Sequence, residues 1–378
     1  MDIKASLDKL RATGNFRQIP SVEAAGKSLI DLSSNDYLGI AADSELYREF
    51  AQTVLPELLA RGNGADMMTS SASRLLAARQ ECYAAFETLL AECYSRRALL
   101  FNSGYHANTG IIGAMADHRT LIVADKLVHA SIIDGIKLSG APFERFRHND
   151  YTHLERILAA KAHQYDNILI IAESVYSMDG DTADIRRLVD IKRHTPGAIL
   201  YIDEAHGVGV AGPHGLGVVQ ASGVANDVDI VIGTLGKALA SIGAYAIVSD
   251  LLRDFLINRA RSFIFSTSLP PINVAWSRFV FSKMLSMDSA RSHLRALAEA
   301  LAKAIGSPVV SHIQPLIVGD PALAVKLSAS LLQVGYKVLP IRTPTVPPGT
   351  DRLRFSLSAA LQLKDIEPLH NILDANAV

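Results

Sequence analysis

The sequence predicts an α/β protein in which a mostly parallel sheet is sandwiched by helices, with a smaller C-terminal α+β domain. Two observations carry the parallel sheet. Apolar runs that read as strands alternate with helical stretches from Ala98 to Val248, the pattern of βαβ units. Several of those runs are apolar at nearly every position, as in I-L-I-I-A at 168–172 and V-D-I-V-I at 228–232, which suits strands covered on both faces. A third observation carries the smaller domain: from Pro270 a long helical run leads into more widely spaced strands.

In chain order, residues 4–12 read as a short helix leading to Arg17 and Pro20, and 30–32 as a short strand before the polar turn S-S-N-D-Y-L-G at 33–39. A helical stretch covers 43–59, and Gly62-Asn63-Gly64 breaks the chain. Ser73 is placed to cap a long amphipathic stretch running to Tyr94. Strand 98–101 then leads to helix 106–116, strand 121–124 to helix 129–138, and strand 143–146 to helix 151–162. Strand 168–172 precedes helix 183–194, strand 198–202 precedes the Gly-rich 207–217, and 244–248 reads as the hairpin partner of 228–232. Beyond Pro270 come a helical run at 272–306 with a break at 284–289, strands at 313–318, 337–341 and 353–357, and helices at 321–334 and 364–374. This divides the chain into an N-terminal segment, 1–44, packing with the small domain; a large α/β domain, 45–270; and a C-terminal domain, 271–378.

The bulk numbers exclude several classes. At 378 residues the chain is long for one core. It is 49% apolar with net charge −1 and has no basic run, which argues against a nucleic-acid groove. No apolar run approaches the ~20 residues of a membrane span, and the N-terminus carries neither a secretory nor an Arg-rich targeting pattern. Cys82 and Cys93 lie three turns apart on a helical pattern, too far for a disulfide within one helix. A reducing, cytoplasmic setting is expected.

Four loops fall at the carboxyl ends of predicted parallel strands, where open α/β sheets place ligands. Ser103-Gly104-Tyr105 opens a helix, and its free amides suit an anion unless the segment is a structural turn. Asp203 needs a cationic partner if buried, for which a pyridinium nitrogen would serve; otherwise it caps the next turn. Thr234 offers a hydroxyl to a phosphate oxygen, and Lys237 sits where a buried strand meets a Gly-containing turn. There the lysine is either a Schiff-base nucleophile or a turn residue facing water. His129 either stacks on an aromatic ring or is structural. Together the four suit pyridoxal phosphate, an electron sink for a carbanion. Three motifs mislead. D-E-A-H at 203–206 has no phosphate loop to accompany it; G-V-G-V-A-G at 207–212 is followed by Pro213 and opens no helix; and Asp203 with His206 lacks a third metal ligand.

The motifs S-S-N-D-Y-L-G, F-N-S-G-Y-H-A-N, D-K-L-V-H-A-S, S-V-Y-S-M-D-G-D, D-E-A-H-G-V-G, T-L-G-K and F-S-T-S-L-P-P occur in this order over nearly the whole chain. In this the sequence resembles the α-oxoamine synthases, fold-type I pyridoxal-phosphate transferases that condense an amino acid with an acyl thioester and lose CO2. The resemblance implies that Lys237 carries the cofactor through an imine and later moves the Cα proton. It implies that Asp203 holds the pyridinium, that His206 bonds the ring hydroxyl and that His129 stacks on the ring. Gly104, Tyr105 and Thr234 would bind the phosphate, and Ser177 would touch the cofactor. Thr267 would reach the phosphate of a neighbouring subunit, so that a homodimer shares the site. Arg342 would grip the amino-acid carboxylate, with Asn35, Thr345, His129 and Arg17 near the substrate. The stretches 311–320 and 341–354 point within the family to L-alanine and a pimeloyl thioester, carried on coenzyme A or an acyl carrier protein. Sister members use glycine, serine or other amino acids and other acyl chains. The chain departs from the family between 61 and 86, where it has S-A-S-R-L-L-A-A and Tyr83, the region expected to shape the acyl entrance.

Overall fold

The structure is a computed structural model and describes residues 2–13, 15–16, 19, 29–60, 67–77 and 80–376. Among them, in chain order, are strands β1 (Ile30–Asp31), β2 (Arg97–Phe101), β3 (Thr120–Asp125), β4 (Phe143–Phe146), β5 (Asn167–Glu173), β6 (Ala198–Asp203), β7 (Ile230–Thr234), β8 (Ala244–Val248), β9 (Ile313–Ile317), β10 (Tyr336–Lys337), β11 (Leu339–Ile341) and β12 (Arg352–Ser356). No helix among the described residues is long and apolar enough to cross a membrane.

The chain forms two compact units. The larger comprises 38–176 and 182–291. Its seven-stranded sheet has the order β2-β8-β7-β6-β5-β3-β4. β4, β3, β5, β6 and β7 run parallel, and β8 lies antiparallel between β7 and β2. The consecutive apolar residues of these strands are explained by this placement: β3 and β8 are buried at every position, and β5 at all but its first. Helices Gly104–Met115 and Ala130–Ser139 cover one face through Ile111, Ile112, Ile132 and Ile136, in one core with Ile122, Ile171, Tyr201 and Ile232 of the sheet. After β4 the chain crosses to the other side of β3, so β3 and β5 flank a switch point whose carboxyl end is a ligand-binding location by topology alone.

The smaller unit gathers the described residues of 1–37 with 177–181 and 292–376. β12 is the middle strand of an antiparallel sheet with β9 and β11, and β1 pairs with β10 in parallel. Two buried arginines of β12 tie residues 177–181 to this unit. Arg352 donates to Asp179 Oδ1 (2.5 Å) and the Met178 carbonyl (3.2 Å), and Arg354 donates to the Ser177 carbonyl (2.5 Å).

Several expectations need correcting. The unit boundaries fall at 37/38 and 291/292 rather than at 44/45 and 270/271, and 177–181 belongs to the smaller unit. The reason is aromatic packing. Helix Pro271–Met284 sets Trp276 against Tyr47 (4.7 Å between centroids) and Phe50 (5.2 Å), and Phe281 against Phe86 (5.7 Å), all within the larger unit. Ser73 caps no helix: it bridges to Thr267, and the described part of the helix runs Gln80–Tyr94. The stretch 43–59 is helical but passes through a π-helical turn at Phe50–Val54. The break expected at 284–289 within 272–306 is present, between helices Pro271–Met284 and Asp288–Ile305, whereas the strand expected at 337–341 is two short ones, β10 and β11.

Gly233 in β7 is set by a close approach. A Cβ there would lie 2.1 Å from the Tyr245 ring, and that ring is held through its hydroxyl, 2.8 Å from Tyr94 Oη. Gly233→Ala is therefore expected to destabilise by about 1–3 kcal/mol, the usual cost of overpacking a core. Denaturant melts check this; a variant as stable as the parent would show that the ring can shift.

Candidate active site

The site follows from the sheet. Asp203 ends β6, Glu173 ends β5 and Thr234 ends β7, so three polar side chains emerge at the same edge of the sheet. His129 and Gly104 start the two helices that follow β3 and β2. These residues, with Tyr105, Asn108, Ser131, Ala205, His206 and Lys237, line one cavity of about 170 Å3 within the larger unit.

Asp203 is 4% exposed. Its Oδ1 accepts the Ala205 N–H (2.8 Å) and its Oδ2 accepts Asn108 Nδ2 (2.8 Å). Both donors are neutral, so the hydrogen bonds partly replace water but leave the charge unmatched by them. Asn108 is fixed in turn: its Oδ1 accepts the Tyr201 hydroxyl (2.5 Å), and its Nδ2 also donates to Ser131 Oγ (2.9 Å). Ser131 Oγ lies 2.7 Å from His129 Nδ1, which also accepts the Ser131 N–H (3.2 Å) and so caps helix Ala130–Ser139. Burial lowers the His129 pKa; Asp203 opposes this and Lys237 adds to it. The ring is thus neutral, with Nδ1 as acceptor and the proton on Nε2.

Lys237 lies in the loop joining β7 to β8, and its Nζ is 2.7 Å from His206 Nε2. At the start of helix Gly104–Met115, Ser103 Oγ accepts the His106 N–H (3.1 Å), whereas the Gly104 and Tyr105 amides have no acceptor among the described residues. A Cβ on Gly104 would stand 3.9 Å from Thr234 Oγ1, so glycine widens a cradle between those amides and the hydroxyl. Such a helix start favours an anion. The donor set suits a ligand with an anionic group, a protonated nitrogen and an electrophilic carbonyl.

Gly104, Tyr105, His129, Asp203, His206, Thr234 and Lys237 are thus brought together as the sequence suggested. Thr267 does not line the cavity; it bridges to Ser73, and its carbonyl accepts Asn102 Nδ2. Ser177, Asn35, Arg342 and Thr345 belong to the smaller unit. There Asn35 Oδ1 accepts Arg354 Nη2 (3.2 Å) and the Tyr37 hydroxyl (3.0 Å), and Arg342 and Thr345 share a turn (2.9 Å) along a groove with Leu7, Leu10 and Phe16. Arg17 lies outside the described residues. Sequence reasoning missed Asn108, Ser131, Tyr201 and Glu173. Asn108 and Ser131 do close the quoted motifs F-N-S-G-Y-H-A-N and D-K-L-V-H-A-S, a signal that was available.

Glu204, next to Asp203, is fully buried and accepts the Ser174 hydroxyl (2.5 Å) and the Val219 N–H (2.5 Å). Burial pushes its pKa from 4.5 up to about 7 despite those donors. The folded value lies above the unfolded one, so the stabilisation is complete below about pH 4.5 and is lost as pH rises through about 7. The difference amounts to about 3 kcal/mol. Melting temperatures of the parent and Glu204→Gln are expected to diverge in favour of the variant between pH 5 and 8; a constant gap would refute the assignment.

The model of the family described as aminotransferase class I and II matches residues 27–373. A Pasteurella multocida protein is 47% identical, covering 96% of this chain and 95% of its own length. The 8-amino-7-oxononanoate synthase of Chlorobaculum parvum is 45% identical, covering 97% and 96%. Among solved structures, the serine palmitoyltransferase of Sphingomonas wittichii superposes with a TM-score of 0.86 at 30% identity over 99% of this chain and 97% of its own. An 8-amino-7-oxononanoate synthase from Francisella tularensis gives 0.76 at 26% identity over 92% and 97%.

Proposed function

The chain belongs to the aminotransferase class I and II family, and from that premise we propose that it is a pyridoxal-phosphate-dependent acyltransferase of biotin biosynthesis. It joins L-alanine to a pimeloyl thioester, making 8-amino-7-oxononanoate and releasing CO2 and the free thiol. The observation that carries this reading is full-length identity of 45% to an 8-amino-7-oxononanoate synthase. The cavity's donor set agrees with it: a buried carboxylate, a primary amine and an open anion cradle in one place.

Bound there, pyridoxal phosphate supplies an electron sink for the carbanion at the substrate Cα. Asp203 holds the ring-nitrogen proton, with Asn108 and the Ala205 amide fixing its two oxygens. The Gly104 and Tyr105 amides and the Thr234 hydroxyl would hold the phosphate, and Ser177 would contact the cofactor. His129 packs its neutral ring against the cofactor. Lys237 would supply the amine that holds the cofactor carbonyl and, once the substrate amine has displaced it, its freed Nζ would carry the substrate Cα proton. His206, 2.7 Å from that nitrogen, orients it and bonds the ring hydroxyl. Arg342 would offer a two-pronged donor to the alanine carboxylate, with Asn35, Thr345 and Arg17 as further substrate contacts. Thr267 serves the neighbouring subunit's phosphate in a homodimer, and the acyl group arrives on coenzyme A or an acyl carrier protein.

A second reading is a sister activity with another amino acid. The higher TM-scores of serine palmitoyltransferases favour it, while the higher identity to the oxononanoate synthase of Chlorobaculum parvum opposes it. A matrix of amino acids against acyl thioesters, read by mass spectrometry, decides: alanine with pimeloyl thioester is expected to give the product, and turnover with serine or glycine alone would move the chain to the sister activity. Lys237→Ala is expected to lose roughly 10²–10⁴-fold or more in kcat and to abolish the cofactor adduct trapped by borohydride. A trapped adduct on another lysine would overturn the assignment.

A further inference from the structure

Glu173 is a buried titratable group facing the cavity to which the mechanism above gives no part. It ends β5 directly opposite Asp203, which ends β6, in the register of the parallel pair. Register partners in adjacent strands point to the same face about 4.8 Å apart at the backbone, and both carboxyls line the same cavity. Two buried carboxyls so placed do not both ionise. The donors are divided unequally. Asp203 receives two N–H groups on two oxygens, and Glu173 receives one, the backbone N–H of His129 on Oε1. Asp203 is therefore the better-solvated anion of the two. We propose that Glu173 is the proton-bearing member of a carboxyl pair with Asp203. In this role it positions His129 through that residue's backbone and leaves the negative charge of the pair on Asp203.

The groups around Glu173 support this. Asp203 on β6 and Asp125 on β3 repel its charge; Lys237 and the His129 N–H favour it; and burial outweighs both, holding its pKa well above the ordinary carboxylate range. Tyr176, three residues on, is itself buried and neutral. The oxygen not used by His129 is then free to carry O–H as a donor in the cavity. If the cavity holds pyridoxal phosphate, the arrangement keeps the charge of the carboxyl pair where the ring nitrogen needs it. That consequence rests on the proposed function; the proton assignment does not.

Infrared spectroscopy of the apoprotein near pH 7 tests it. The difference spectrum between the parent and Glu173→Gln is expected to lose one protonated-carboxyl C=O band, with Glu204 present in both and cancelling. In Asp203→Asn the same band is expected to disappear at lower pH, because the neighbouring charge that raises it is gone. Should Glu173→Gln fail to fold, Glu204→Gln protein labelled with 13C at glutamate carboxyls gives the same answer: with Glu204 gone, one protonated-glutamate band is expected to remain near pH 7. Absence of the band in the parent, its survival in Glu173→Gln, or an unshifted titration in Asp203→Asn would each overturn the pair. In the holoenzyme, Glu173→Gln is expected to move the alkaline limb of the kcat/KM profile upward, while Glu173→Ala loses roughly tenfold or more at all pH values. A merely structural Glu173 would leave the shape of the profile unmoved.

Discussion

A carboxylate taken out of water at the end of a parallel strand is the constraint to which the surrounding side chains are fitted. An isolated buried charge costs several kcal/mol even after relaxation, and Asp203 is nearly fully enclosed. Two neutral donors lower that cost without cancelling the charge. The remaining field is available to a cationic group on a ligand. The same donors set the geometry of their neighbours: Asn108 spends one hydrogen on Asp203 and the other on Ser131, and Ser131 in turn meets the imidazole of His129. One charge thereby fixes an amide, a hydroxyl and a ring.

The sheet explains why these groups meet. Parallel strands bring their carboxyl ends to one edge, and the crossover after β4 opens a crevice there. Helices that return from that edge begin with unpaired amides pointing back towards it, as at Gly104 and Tyr105. Acid, amine and anion cradle are therefore consequences of topology once the residue types are supplied. The antiparallel β8 closes the hairpin that carries Lys237, tying the amine to the same edge.

Much of this was legible in the chain. Strands buried on both faces announce themselves as unbroken apolar runs, so β3, β5, β6 and β8 were found nearly to the residue. Asp203 ends β6 with His206 just beyond it, Lys237 follows β7 and Gly104 follows β2, and local reading reached them. What was not legible depends on distance along the chain. The Ser73–Thr267 bridge replaces the cap that Ser73 would have made, and nothing near Ser73 signals it. The unit boundary follows aromatic contacts made across more than two hundred residues, as between Phe50 and Trp276, rather than a change of texture at Pro270. Residues 177–181 join the smaller unit through arginines of β12, a pairing that no local pattern encodes. Glu173 was overlooked because a glutamate closing an apolar run reads as the exit to solvent.

His129 serves two masters. Its imidazole nitrogen takes the place of the usual serine or aspartate at the head of a helix, and its ring faces the cavity. An alanine at this position would fray the first turn as well as remove the aromatic surface, so a loss seen there could not be divided between the two. Asparagine keeps the end-group acceptor and drops the ring, and a comparison of the two replacements separates anchoring from stacking.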